Sequence, residues 1–149
     1  MYFDNALSEQ ETYNLSEFLD KIAPNMLAFF NVKGFDNLIT TPYAFRDKQQ
    51  SNIDTIREIL RQTAHDLNTK FNKSYYYGTT RSLLFNYTGN SADWVKENLN
   101  VPVVITFYLT HYDNILPEVT DIGPLHLELA RGINEILSFT ANLYGPLFN

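Results

Sequence analysis

Val103-Val104-Ile105-Thr106-Phe107-Tyr108-Leu109-Thr110 is the stretch that decides the fold. Successive side chains of an extended strand point to opposite faces. Val103, Ile105, Phe107 and Leu109 therefore share one face, and Val104, Thr106, Tyr108 and Thr110 the other. This alternation makes it the clearest strand in the chain. The second face carries hydroxyls and is the one expected to line a cleft.

Outward from this strand the chain alternates between helical and extended patterns. Downstream, Pro124 suits the first turn of a helix, where a missing N–H does no harm. Leu125, Leu129, Ile133, Ile136, Leu137 and Thr140 then form a broad inward stripe to about Leu143. Upstream, Ser91 to Glu97 reads as a short helix, Ser82 to Phe85 as a short strand, and Ser74 to Gly78 as a Tyr-rich turn. Ile53, Ile56, Leu60 and Leu67 give one helical stripe, so a helix is expected over 52–67, opened by a Ser51-Asn52-Ile53-Asp54 capping box. Phe35 to Thr41 and Met26 to Val32 read as strands. Leu15, Phe18, Leu19 and Ile22 mark an amphipathic helix over 8–22, opened by Ser8-Glu9-Gln10-Glu11 and ended by Pro24. Helices between strands imply a layered α/β arrangement with a mixed sheet.

The 149 residues are the length of one domain, and a hydrophobic fraction of 44% suffices for a core. Eleven Lys+Arg against 17 Asp+Glu leave a net charge of −6. That balance argues against nucleic acid, which needs a clustered positive footprint, and against an anionic membrane surface. No apolar run approaches the ~20 residues that cross a bilayer. Met1-Tyr2-Phe3-Asp4-Asn5 lacks the features of a signal peptide, and localisation stays open. With zero cysteines there is no disulfide framework, thiolate metal site or cysteine nucleophile. Asn14, Asn72 and Asn86 head Asn-x-Ser/Thr triplets that would accept glycans only in an exported chain.

Spacing alone offers no intact catalytic constellation. The histidines are His65, His111 and His126, and no His-x-x-Glu or His-x-x-x-His pair occurs. His126 and Glu128 lie two apart on an expected helix and point in different directions. His111 and Asp113 are only two candidate ligands. The pairs Glu9/Glu11, Asp54/Glu58 and Glu118/Asp121 fall at helix starts, where carboxylates complement the helix dipole. No Gly-rich phosphate loop and no Gly-x-Ser-x-Gly elbow is present.

The order of the pieces, however, resembles the C-terminal half of the zinc carboxypeptidase A/B family, exopeptidases that remove one C-terminal residue. Ser8-Glu9-Gln10-Glu11-Thr12 is similar to that family's Ser-Glu-Pro-Glu-Thr. Ala28 through Asn37 stands in place of the strand carrying His-Ser-Tyr-Ser-Gln, and Thr41-Pro42-Tyr43-Ala44-Phe45 resembles Tyr-Pro-Tyr-Gly-Tyr. Phe85-Asn86-Tyr87-Thr88-Gly89-Asn90-Ser91-Ala92-Asp93-Trp94 resembles Tyr-x-Ala-Ser-Gly-Gly-Ser-x-Asp-Trp at identical spacing. Thr106-Phe107-Tyr108-Leu109 stands in place of Thr-Phe-Glu-Leu, and Leu116-Pro117 with Ile122-Gly123-Pro124 matches the closing Leu-Pro…Ile-x-Pro.

The resemblance implies a fold, a cofactor and a site. The fold is half of a zinc-carboxypeptidase-like mixed β-sheet flanked by helices. The chain, 1–149, is expected to be a single partial domain, with no counterpart of the N-terminal half and its His-x-x-Glu ligands. The family's third zinc-binding His falls on Lys33, whose ammonium has no lone pair to donate. The family's general-base Glu falls on Tyr108, a phenol with pKa near ~10. The lid tyrosine falls on Phe85, which keeps the ring and loses the hydroxyl. The substrate pocket falls on Leu84, Tyr87, Asn90, Ala92 and Thr106, with Tyr87 and Asn90 replacing small residues. No intact zinc site and no cofactor are therefore expected, although the family uses zinc.

The expectation is a catalytically inactive relative, a truncated pseudo-peptidase or binding module. The alternatives are a component of an active metallocarboxypeptidase whose zinc ligands come from another chain, and an acidic interaction domain. Expected partners are peptide C-termini or a protein pairing with strand 26–32, an edge once the other half is missing. The family is mostly secreted, which sits against the missing signal peptide.

Overall fold

A computed structural model describes residues 7, 9–34, 37–109 and 119–144, with the side chains of 119–121 excepted. Ser8 of the first capping box, Phe35, Thr110, the His111/Asp113 pair, Leu116-Pro117 and Glu118 lie outside the described residues, as does the side chain of Asp121.

The decisive strand is β4, Val103–Leu109, and it is central. β1 (Ala28–Gly34) runs parallel along one edge of it, and β2 (Leu38–Thr41) antiparallel along the other. β3 (Tyr76–Thr79) pairs parallel with β2, so the four strands stand in the order β1-β4-β2-β3. This is the mixed sheet expected, and β1 lies at its edge.

The alternation along β4 builds two cores. Val103, Ile105 and Phe107 meet Ile39 of β2 with Ile56, Ile59, Leu60, Ala64 and Leu67 of α2 (Ile53–Phe71) and Ile136 of α5 (Val119–Tyr144). On the opposite face, Val104 joins Leu19 of α1 (Gln10–Ile22), Val101, and Ala92 and Val95 around α4 (Ser91–Trp94). A π-helical turn, Val95–Leu99, continues α4. Its Lys96 is buried, and Nζ donates to the carbonyls of Val101 (2.9 Å) and Pro102 (3.3 Å), which fixes the approach to β4. Burial pushes that ammonium's pKa down.

Four sequence expectations need correction. Tyr76–Thr79 is strand rather than turn. Ser82–Phe85 is no strand: Thr80–Leu83 forms one helical turn, α3, because the Thr79 hydroxyl accepts the Ser82 N–H and caps it. The helix opened at Pro124 instead starts at Val119, leaving Pro124 inside α5. The capping box at 51–54 is not formed: Asn52 is the N-cap, but its side chain donates to the Pro102 carbonyl (2.9 Å) and the Tyr144 hydroxyl (3.0 Å).

α1 departs from expectation in packing rather than position. It is capped by Glu9 without a side-chain hydrogen bond and passes through Pro24 in a 3₁₀ turn, Ala23–Asn25. Of its apolar stripe only Leu19 is buried; Leu15 is 50% and Phe18 57% exposed, and Ile22 also faces out.

α5 crosses the sheet at Gly132, where a Cβ would stand 2.8 Å from Phe107 Cε1 and 3.4 Å from Leu67 Cδ1. At Gly123 of the same helix a Cβ would meet nothing within 4 Å. Gly123→Ala is expected to change stability by less than about 0.5 kcal/mol, because the helix-propensity gain is opposed by the clash of a new Cβ with the ring of Pro124. Gly132→Ala should lower it by about 1 kcal/mol, overpacking against a ring that cannot retreat. Urea denaturation of the two variants side by side checks that the loss falls on Gly132→Ala alone.

Candidate functional site

The site is built where β1, β4 and the segment before α4 meet. Lys33 and Tyr108 are register partners on adjacent strands. Equal register in a parallel pair brings the two side chains to the same face. Lys33 Nζ lies 5.7 Å from the centroid of the Tyr108 ring and 5.6 Å from that of Tyr87. The two phenol oxygens are 3.2 Å apart, within reach of a hydrogen bond. Phe85, 70% exposed, tilts onto Tyr87 with ring centroids 5.4 Å apart. Lys33, Phe85, Tyr87 and Tyr108 thus form one contiguous cluster, an ammonium between two aromatic faces.

Tyr108 is held protonated. Burial pushes its hydroxyl pKa well above the ordinary tyrosine value, and the Tyr87 hydrogen bond adds to the rise. Thr106, two residues back on the same strand face, is buried beside Thr40. The Thr40 and Thr80 hydroxyls share a hydrogen bond of 2.9 Å.

The other pocket candidates take structural positions. Leu84 is half-buried and closes α3, its N–H bonded to the Thr80 carbonyl at 3.0 Å. Asn90 caps α4 by accepting the Asp93 N–H at 2.9 Å, and its Nδ2 is buried without an acceptor. Ala92 is packed in the second core, next to Val95 and Val104.

Sequence reasoning gave no role to Asp93, which organises the neighbouring turn. Its Oδ2 accepts the N–H groups of Ala44 (2.8 Å) and Phe45 (3.2 Å). That latch fixes Tyr43 and Arg46, and a second network grows from them. Glu97 pairs with Arg46 and with Lys48 at 3.1 Å. The hydrogen bonds from Arg46, Lys48 and Tyr43 hold the Glu97 carboxyl down at about 2. Burial, then Glu97, pushes the Tyr43 hydroxyl up to about 12.

A third charged group, Glu128, is only 1% exposed and accepts the Tyr75 hydroxyl, with Lys73 Nζ at 3.8 Å. Its neighbour His126 is exposed, so the two do point apart. The sequence did carry a signal: Glu128 lies at i+3 from Leu125 and i−4 from Gly132, inside the inward stripe. Among the described residues no group of three or more His, Cys, Asp or Glu could hold a metal ion. The groups at the cleft, an ammonium and two phenols, do not fit one.

The family profile described as zinc carboxypeptidase matches residues 3–131. Carboxypeptidase O of Homo sapiens is 28% identical over 134 residues, covering 88% of this chain and 35% of the relative. Carboxypeptidase A1 of Bos taurus is 25% identical over 140 residues, covering 92% of this chain and 33% of the relative. Among solved structures, bovine thrombin-activatable fibrinolysis inhibitor in complex with tick carboxypeptidase inhibitor superposes with a TM-score of 0.86 at 20% identity. The match covers 94% of this chain and 48% of that one. The carboxypeptidase A of Helicoverpa armigera gives 0.83 at 20%, over 94% of this chain and 36% of that one. The chain therefore spans about a third of the length of these curated relatives.

Asp93→Ala should destabilise by about 2–4 kcal/mol, since it strips two N–H groups of their charged acceptor in a largely buried setting; thermal denaturation reads it. The Glu97 network predicts a pH effect. A carboxyl held at about 2 against 4.5 adds stability above pH 4.5 that is lost as pH falls through 2. Glu97→Gln should flatten that acid loss in a stability–pH profile without changing its slope near neutrality.

Proposed function

The chain belongs to the zinc carboxypeptidase family, and from that membership we propose a relative that binds peptide C-termini without cleaving them. The observation that carries this reading is Lys33 seated over the rings of Tyr87 and Tyr108. The resemblance assigns Lys33 to the zinc-binding His and Tyr108 to the general base. A protonated ammonium cannot ligate zinc, and its charge opposes a dication. A phenol whose proton is held more firmly than usual is a still poorer base at neutral pH.

Binding survives where chemistry does not. Lys33 has no carboxylate partner among the described residues, so a peptide's terminal carboxylate can take that place. The Phe85 and Tyr87 rings beside it offer apolar surface for the last side chain. Nothing acidic is contributed by Ala92, so this reading gives no preference for basic C-termini.

One observation favours a second reading, in which another polypeptide completes the domain and activity persists. No strand is paired on the outer side of β1 among the described residues, and the stripe Leu15, Phe18 and Ile22 on α1 is uncovered. The proposed occupant is the remaining part of a carboxypeptidase domain, because this chain covers only 48% and 36% of the two solved neighbours.

The two readings separate on zinc and turnover. The purified chain, dialysed, is expected to carry no stoichiometric zinc and to leave peptides ending in Phe or Lys intact. The double variant Lys33→His, Tyr108→Glu is expected to gain no activity. Lys33→Ala should weaken binding of a free-acid peptide about tenfold, and amidating the wild-type peptide should cost about the same. One zinc per chain with chelator-sensitive turnover would overturn this reading in favour of the second.

A further inference from the structure

A cavity of about 260 Å³ lies away from the Lys33 cluster, at the C-terminal ends of the parallel strands β2 and β3. Thr41 and Thr79, register partners at those ends, both line it. So do the long connection between β2 and α2, the first turns of α2, and the start of α3. In open α/β sheets the crevice beyond the strand C-termini is where ligands settle.

The lining is cationic. Arg46, Lys48, Arg57 and Arg81 face this one cavity, four of the 11 Lys+Arg in a chain of net charge −6, with Asp47 the acidic member. They are unequally committed. Arg46 and Lys48 are tied to Glu97, and the Nε of Arg46 is buried without an acceptor. Arg57 reaches only an outward-facing Asp54 carboxylate at 3.4 Å. The Arg81 side chain has no acidic partner among the described residues; only its backbone is engaged, donating to the Tyr43 carbonyl at 3.1 Å. The positive end of the 19-residue helix α2 adds to the same field, and Ile53, its first residue, is in the lining.

Gly78 lies where a Cβ would approach Ser82 Oγ to 2.9 Å, so glycine there lets β3 and α3 meet closely. The Ser82 hydroxyl, donating to the Thr79 carbonyl at 2.8 Å, retains lone pairs but no free proton. Four cationic side chains against the single carboxylate of Asp47 leave the lining with an excess of positive charge. Guanidinium forks match the paired oxygens of a tetrahedral oxyanion, and the volume suits such a group with a short attachment.

We infer that this cavity binds a tetrahedral oxyanion, a phosphoryl or sulfo group, with Arg57 and Arg81 as its principal ligands. The inference is independent of the peptide-binding reading, since none of Lys33, Phe85, Tyr87 or Tyr108 lines the cavity.

Calorimetric titration of the full chain with sodium phosphate, and separately with sodium sulfate at matched ionic strength, tests it. Saturable binding of at least one of them at one per chain is expected. Preference between the two identifies phosphoryl or sulfo chemistry as the source. Arg81→Gln and Arg57→Gln should each weaken binding at least about fivefold. Arg61→Gln, whose partner Glu58 lies on the outer face of α2, should leave it unchanged. No saturable binding of either ion overturns the inference. So does an equal loss in Arg61→Gln and Arg81→Gln, which would mean general charge screening. Amide shifts of Thr79 and Ser82 on titration give a second readout, should one variant fold poorly.

Discussion

Everything in this fold depends on β4 being satisfied on four sides at once. Both of its edges are hydrogen-bonded, to β1 and to β2. Both of its faces are buried, one beneath α2 and α5, the other beneath α1 and α4. A strand so enclosed cannot slip by one residue without sending every side chain to the wrong core. The register that buries Phe107 against α5 is therefore the register that delivers Tyr108 beside Lys33. Core and cleft are two consequences of one alternation.

That alternation was legible because it is regular, and so were the helices whose stripes run for several turns. What escaped reading was short or locally decided. Tyr76-Tyr77-Gly78-Thr79 resembles a turn in composition, but pairing with β2 makes it a strand. Thr80–Leu83 resembles a strand, yet one hydroxyl of Thr79 is enough to cap a helical turn. The α1 stripe was legible as apolar and amphipathic; that it lies largely uncovered is set by what packs nearby, which no periodicity encodes.

For the candidate site the division is similar. The resemblance to the carboxypeptidase motifs was enough to bring Lys33, Phe85, Tyr87 and Tyr108 to attention from the sequence. Spacing did not reveal that the ammonium would stack between two rings, because Tyr87 and Tyr108 are far apart in sequence. Nor did it reveal Asp93 as the acceptor for two backbone donors nearly fifty residues away. Glu128 sat in plain view within an inward stripe, and its partner Tyr75 comes from outside that helix. Polar partners across a fold are set by tertiary approach rather than by local pattern.

Lys33 also has a second bearing through its place on β1. An unpaired sheet edge can template the addition of further strands, and natural edges guard against this with charged residues, lysine above all. Around Lys33 the strand is otherwise apolar or neutral from Ala28 to Gly34. Among the described residues nothing pairs with the outer side of β1, so the one charge that this edge strand carries is the same charge that enters the cleft.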